Sequence, residues 1–339
     1  MKAIRVHKHG GIEVLRIDEI DVPAIKDDEV LVKIHAASLN HLDLWVRKGL
    51  PGISLPIILG SDGAGVITAL GSKIAKEGKL HSGDEVFLVP FRSPEPFGSD
   101  EELSESYKIL GEHLDGTQAE FVNVPYDFVM PKPPTLTWEQ TSAFPLAYMT
   151  AYHMLTKKVR LEEGQWVLVW GASGGIGSAA VQIAKLYGAT VIATSGSQQK
   201  SEFAHHLGAD YVINYQHEDV GKSVLDLTKS KGVDIVFEHV GEKSWPQSLR
   251  SLKKGGKIVT CGATTGPRVM LDLRHLYIKH QQIIGSTMGN RQDLSELLSL
   301  INQGKIKPVL GASFHYTEIK KAHELLEKNQ QMGKIVITF

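Results

Sequence analysis

The chain has 339 residues, a formal net charge of −1, 42% apolar and 22% charged residues. That balance describes a globular protein of two domains and gives no electrostatic footprint for nucleic acid or an anionic membrane. Cys261 is the single cysteine, so an intrachain disulfide and a cysteine-based zinc site are both excluded.

The first six residues alternate like a strand instead of forming an apolar leader, and no apolar run approaches membrane-spanning length. A small-molecule partner, with no nucleic acid and no membrane, is the expectation, and the cytoplasm is the expected compartment. Residues 30–36, 65–70, 84–89 and 119–124 each suit a half-buried strand, punctuated by Pro23, Gly60, Gly63, Gly71 and the Gly83-Asp84 pair. They predict a β-rich domain. Residues 92–106 are polar, acidic and rich in turn formers, with the composition of a mobile loop or lobe.

From Pro131-Lys132-Pro133-Pro134 onward the texture changes. Thr137-x-x-Gln140 resembles a capping box opening a helix, and a second apolar helical stretch covers residues 147–155. Next, Val167-Leu168-Val169-Trp170 reads as a buried strand, Gly171-Ala172-Ser173-Gly174-Gly175-Ile176-Gly177 as a tight turn, and Ile176, Ala180, Ile183 and Ala184 as one face of a helix. In this setting Ala172-x-Gly174-x-x-Gly177 is a dinucleotide fingerprint. Gly174 lets the backbone approach a pyrophosphate, Gly177 lets helix and strand pack closely, and the helix N-terminus offers N–H groups to the anion.

The following strand, 190–194, runs into Ser195-Gly196-Ser197-Gln198-Gln199-Lys200 with no acid before Glu202. An NAD site places an acid about 20 residues after the fingerprint to take the ribose hydroxyls, whereas a 2′-phosphate calls for hydroxyls and cations. The expected cofactor is therefore NADPH, with Ser195 and Ser197 donating to the phosphate and Lys200 neutralising it. Further strands at 211–213, 234–237, 257–260 and 282–285 alternate with helical segments, the pattern of a doubly wound parallel sheet. A helix at 292–302 and a strand at 333–337 complete the expected elements.

Ala37-Ser38-Leu39-Asn40-His41-Leu42-Asp43, Leu59-Gly60-Ser61-Asp62-Gly63-Ala64-Gly65, Gly111-Glu112-His113-Leu114-Asp115-Gly116, Leu146-Ala147-Tyr148-Met149-Thr150-Ala151-Tyr152, the fingerprint and Phe203-Ala204-His205-His206-Leu207-Gly208-Ala209-Asp210 together resemble the medium-chain dehydrogenase/reductase superfamily over essentially the whole chain. The resemblance implies an α/β protein, with a GroES-like β-rich domain at 1–124 and 290–339 and a Rossmann domain at 125–289. It also implies a nicotinamide held where the domains meet. Zinc alcohol dehydrogenases of this superfamily hold their catalytic metal at positions that fall here on Asn40, Ser61 and Leu146, none of them a good zinc ligand. The cysteine-bearing lobe of those enzymes corresponds to residues 92–106, which have no cysteine.

The matching branch is that of quinone oxidoreductases and related enone reductases, which also have asparagine where Asn40 stands. A conjugated enone or quinone spreads the charge from hydride addition onto a remote oxygen that hydrogen bonds can stabilise without a metal. The resemblance places Asn40 beside nicotinamide and substrate, with His41 and Tyr148 flanking the substrate. It places Thr150 near the nicotinamide, Ser173, Gly174, Gly175 and Ile176 around the pyrophosphate, and Tyr215 against the adenosine phosphate. His239 and Gly262-Ala263-Thr264 follow the fourth and fifth strands, at the carboxyl ends where such sheets bind ligands. Asp43 orients His41 or a backbone turn.

Relatives pair edge strands as homodimers or homotetramers, with residues 265–273 the candidate edge here. Three readings stay open: a zinc-independent NADPH-dependent reductase of quinones or α,β-unsaturated carbonyls, an alcohol dehydrogenase with a metal site rebuilt from His41, Asp43, Asp62 and His113, and a non-catalytic NADPH-binding redox sensor.

Overall fold

In the computed structural model, which describes residues 1–339, the alternating N-terminal segments pair around one long strand, Glu29–Ser38. Its neighbours are Asp62–Leu70 on one side and Lys334–Thr338 on the other, both antiparallel to it. The mixed sheet continues through Glu85–Leu88 to Val129–Pro131 at one end and through Leu310–His315 at the other, while Phe121–Pro125 also pairs with Glu29–Ser38. Alternate residues Val30, Val32 and Ile34 turn into a core shared with Ile67, Val86, Val122, Val124, Ile335 and Ile337, as the two-residue period of a strand requires. This unit comprises Met1–Leu146, Asn290–Asn302 and Lys307–Phe339.

The second unit, Ala147–Gly289 with Gln303–Ile306, holds six parallel strands. Their spatial order is Tyr211–Asn214, Thr190–Ser195, Trp166–Val169, Val233–Glu238, Leu252–Thr260 and Gln282–Gly285. That is the doubly wound order in which the direction of winding reverses between the first and fourth strands of the unit. Val167, Leu168 and Val169 are all fully buried, which is why this strand reads as a continuous apolar run. No helix is long and apolar enough to cross a membrane.

Three expectations about the elements are corrected. Residues 125–146, expected to open the cofactor domain, cluster with the first unit. Val129–Pro131 extends its sheet beside Glu85–Leu88, and the short helix Trp138–Ser142 packs on Glu29–Ser38 and Asp62–Leu70. The Thr137 cap of that helix is as expected, with Thr137 and Gln140 exchanging backbone and side-chain hydrogen bonds. The edges of the parallel sheet are Tyr211–Asn214 and Gln282–Gly285, and residues 265–273 form no strand. Pro267 lacks a donor N–H, and Asp272 caps the helix Leu273–Lys279 by accepting the Arg274 N–H.

The segment 92–106, expected to be mobile, is tied down. Arg291, at the start of the helix Arg291–Asn302, donates from Nε to Glu101 at 2.7 Å and from Nη1 to Asp127 at 2.8 Å. Its Nη2 reaches the Glu95 carbonyl at 2.7 Å. The guanidinium also lies over the Phe128 ring, and Glu101 is completely buried. Substituting Arg291→Ala leaves that carboxylate buried without its cation, so stability falls by about 3–5 kcal/mol. Denaturant unfolding measures the loss, and limited proteolysis registers new cleavage within residues 92–106.

Candidate active site

In the first unit the candidate residues converge through sheet register. Ser38 lies opposite Asp62 on one neighbouring strand and opposite Val336 on the other. Continuing the second pairing by two residues sets Lys334 across from Asn40, just past the end of Glu29–Ser38. The Lys334 ammonium donates to Asn40 Oδ1 at 2.5 Å and to Asp62 Oδ2 at 3.2 Å. Asp62 Oδ2 also accepts from Asn40 Nδ2 at 2.9 Å and from Ser38 Oγ at 3.0 Å, and its Oδ1 accepts the Leu146 N–H at 2.7 Å. All four side chains are at most 8% exposed, so each charge and dipole depends on the others for its solvation.

Asn40 precedes the helix His41–Lys48. Asp43 accepts the Asn40 N–H at 2.7 Å and the Gly60 N–H at 2.9 Å, so it orients backbone. Burial pushes the Asp43 carboxyl up to about 7, against the two N–H donors and Lys334. Gly60 has φ of +94°, and a Cβ on Gly111 would lie 2.6 Å from the Gly60 nitrogen. The two glycine motifs therefore meet backbone to backbone.

The four residues of the rebuilt metal site do not converge. Asp43 and Asp62 share this network, but His41 Nε2 faces Asn329 Oδ1 at 3.3 Å, and His113 Nδ1 accepts the Ile109 N–H at 3.2 Å. Of the zinc-ligand positions, Ser61 donates to the Leu110 carbonyl at 2.7 Å and Leu146 offers only its N–H.

In the second unit the fingerprint is made by backbone. A Cβ on Gly177 would come within 2.3 Å of the Gly171 carbonyl, whereas one on Gly174 would meet protein only at 3.6 Å. Gly177 is thus demanded by helix–strand packing, whereas the space beside Gly174 is open. The helix Gly175–Leu186 has no side-chain cap, so its first N–H groups, including those of Gly175 and Ile176, suit a pyrophosphate. Ser173 is buried in the same turn, which Thr194 fixes by accepting the Gly171 N–H at 3.1 Å.

Ser195, Ser197, Lys200 and Tyr215 gather around the next turn. Ser195 Oγ lies 2.6 Å from Ser201 Oγ, and Ser197 caps the helix Gln198–His206 by accepting the Lys200 N–H. The half-exposed Tyr215 ring covers Gly196 so closely that a Cβ there would sit 2.4 Å from its hydroxyl. Partial burial holds the Lys200 ammonium below its ordinary pKa. At the reversal point of the sheet His239 Nε2 donates to the Trp170 carbonyl at 2.8 Å, and burial lowers its pKa against the nearby Glu238 charge. Thr264 bonds back to the His239 carbonyl, and Gly262 accepts from Thr260, so the two loops adjoin. Tyr148 is fully enclosed and Thr150 nearly so.

A family model described as "Alcohol dehydrogenase GroES-like domain" matches residues 26–134, and one described as "Zinc-binding dehydrogenase" matches 175–303. A crotonyl-CoA carboxylase/reductase of Cereibacter sphaeroides is 34% identical over 97% of this chain and 84% of its own. A quinone oxidoreductase of Mus musculus is 32% identical over 99% of this chain and 97% of its own. A solved structure of an NAD-dependent alcohol dehydrogenase superposes with a TM-score of 0.94 at 39% identity, covering 100% of both chains. The chain belongs to the medium-chain dehydrogenase/reductase superfamily. It is an NAD(P)-dependent oxidoreductase of that superfamily.

Two residues escape a reading of this superfamily's motifs. Lys334 carries the cation of the Asn40 network, and Glu238 braces the His239 loop. The buried Glu238 carboxylate accepts the Val240 and Gly241 N–H groups and the Ser244 and Ser248 hydroxyls.

The helix that presents Asn40 is anchored at its other end by Arg47. This fully buried side chain donates to His323 Nδ1 at 3.1 Å and to Glu327 at 2.9 Å on the helix Ile319–Glu327. Burial, and secondarily Arg47, pushes the His323 imidazole down to about 3. Unfolded chains protonate this histidine near 6.5 while the native state keeps it neutral, so stability is full above that pH. It is lost as pH falls, by about 1.4 kcal/mol per unit down to roughly pH 3. The raised Asp43 carboxyl contributes a slope of opposite sign over the same range. The stability difference between wild type and His323→Gln, taken from urea titrations from pH 7 to 4, should therefore narrow by about 1.4 kcal/mol per unit as pH falls.

Proposed function

We propose that this protein is an NADPH-dependent reductase of quinones or α,β-unsaturated carbonyls whose hydride transfer uses no zinc. The observation that carries the reading is the setting of Asn40. At the position of a zinc-ligating cysteine stands a carboxamide whose oxygen is taken by Lys334 and whose nitrogen gives one proton to Asp62. The second Nδ2 proton is the one it can offer a ligand.

The nicotinamide, when bound, supplies a hydride to the β-carbon of the conjugated system. Asn40 then donates to the carbonyl oxygen on which the charge collects, and such a fixed donor favours the transition state over the neutral ground state. Water or a nearby hydroxyl supplies the proton that completes the reduction. The neutral Asn40 and Leu146 positions and the dispersed histidines do not make a zinc donor set. Both the quinone oxidoreductase and the crotonyl-CoA carboxylase/reductase relatives are named for conjugated carbonyl acceptors, which supports the substrate class.

Support for NADPH comes from Ser195, Ser197 and Lys200 around a turn that lacks an acid, with the uncapped helix and Gly174 for the pyrophosphate. Gly262, Ala263 and Thr264, with His239, close the reversal point, where a nicotinamide ribose fits. The NAD-dependent alcohol dehydrogenase likeness makes NADH and alcohols the competing arm of the test. For assembly, Ile283 on the edge strand and Met270, Leu273, Tyr277 and Ile278 beside it are exposed apolar residues, which fits a homodimer pairing these edges.

Chelator-treated protein should oxidise NADPH in preference to NADH with 1,4-benzoquinone, alkyl enones or crotonyl-CoA, and not with simple ketones. Activity that appears only on adding zinc, or only as alcohol oxidation with NAD, would overturn the reading, and NADPH binding without any turnover would favour the sensor. Lys200→Ala should weaken NADPH binding about 10- to 100-fold, the worth of a hydrogen bond to a charged group, and leave NADH binding unchanged in a fluorescence titration. Ile283→Lys should shift the protein to a monomer in size-exclusion chromatography with light scattering.

A further inference from the structure

Lys334 is an ammonium with almost no access to solvent, 3% exposed, held by one carboxylate oxygen and one amide oxygen. As a stabilising device this is a poor choice. Desolvating the charge offsets most of the Coulombic gain, and a buried ion pair is often matched or bettered by apolar residues of similar volume. The pair does, however, impose a direction on its neighbour. A carboxamide has nearly the same shape with its oxygen and nitrogen exchanged, so only hydrogen bonding decides which end points where.

Here both ends are decided. An ammonium has no lone pair and can face only Asn40 Oδ1, and a carboxylate oxygen without a proton can face only Asn40 Nδ2. The two constraints agree, since Asp62 Oδ2 lies 2.9 Å from Nδ2 and Lys334 Nζ lies 2.5 Å from Oδ1. Ser38 and the Leu146 N–H hold the Asp62 carboxylate from behind, so the carboxylate cannot turn without giving up those donors. A cation on the amide oxygen also withdraws electron density from the nitrogen and makes its protons better donors.

We infer that Lys334 is a positioning residue for the reduction, locking the Asn40 amide so that its remaining Nδ2 proton is always presented to the carbonyl oxygen of a conjugated substrate. This rests on the proposed role of Asn40. Lys334 does not itself need to touch substrate. Its contribution is transmitted through Asn40, which separates it from a residue that merely fills the core.

The test is a double-mutant cycle on the full-length protein with NADPH and one quinone acceptor, measuring kcat, KM and, separately, the NADPH Kd. Lys334→Met keeps the volume and removes the cation. It should lower kcat by about 10²-fold, as loss of a fixed oxyanion donor does, with the NADPH Kd changed by less than about twofold. Made in an Asn40→Ala background the same substitution should cost nothing further, because the amide it orients is gone. Lys334→Arg, which retains a buried donor cation, should recover part of the kcat lost in Lys334→Met.

Unchanged kcat in Lys334→Met, or losses that multiply in the double variant, would overturn the inference. If Lys334→Met fails to fold because Asp62 is stranded, the pair Lys334→Met with Asp62→Asn removes both charges together. It should show the same loss of kcat, and wild-type kcat in that pair would sink the idea. The two levels of the argument fail differently. Full activity in Asn40→Ala removes the role of Asn40 and with it that of Lys334, whereas an impaired Asn40→Ala beside an active Lys334→Met removes Lys334 alone.

Discussion

Burying one ammonium between an amide and a carboxylate constrains the whole first unit. Lys334 can be dry only if Asp62 is ionised and close, and Asp62 can be ionised in that place only with Ser38, Asn40, Lys334 and the Leu146 N–H donating to it. The donors come from three segments, Ser38 and Asn40 at the end of one strand, Lys334 at the start of another, and Leu146, so the register of three strands and the path of the chain at Leu146 are fixed together. Asp43 extends the constraint by tying the Asn40 backbone to Gly60, where the two glycine motifs close on one another. The Arg47 anchor then leaves the helix behind Asn40 little freedom to shift.

The second unit reaches the same end by other means. Its candidate cofactor site is shaped by missing atoms: no Cβ at Gly177, where helix meets strand, and none at Gly196, where Tyr215 lies. Side chains there mostly brace loops. Thr194 holds the fingerprint turn, Glu238 gathers the chain that follows the fourth strand, and His239 spans the reversal point to Trp170. One unit thus stores its specificity in charge pairing and the other in close backbone approach.

What could be read from the sequence follows from how local each signal is. The fingerprint, the Thr137–Gln140 cap and the acid-free turn after the second strand are complete within a few residues, and the structure has the strand, turn and helix where that pattern puts them. Asn40 could be singled out, but as a lone polar residue its partners were invisible. Lys334 stands in Gly333-Lys334-Ile335, which reads like any lysine entering a surface strand, and only sheet register brings it to Asn40, 294 residues away. Arg291 was equally opaque. Its partner Glu101 lies 190 residues away in a segment whose acidic, turn-rich composition argues for mobility, and the ion pair overrides that composition. Residues 282–285 read as a strand from their own sequence, but that they and not 265–273 form the edge beside Leu252–Thr260 depends on a pairing that no local pattern carries.

The sheet that seats Asn40 also has an order of assembly written into it. Glu29–Ser38 and Asp62–Leu70 leave the ribosome early, but Lys334–Thr338, which lies beside the first of them, follows only after the whole contiguous run Ala147–Gly289 has been made. The second unit can therefore fold during synthesis, while the first waits with an uncompensated Asp62 and an open strand edge. A nascent chain would complete its parallel-sheet unit before the sheet that seats Asn40, and the Asp62 carboxylate would acquire its counter-charge only after that unit has been made.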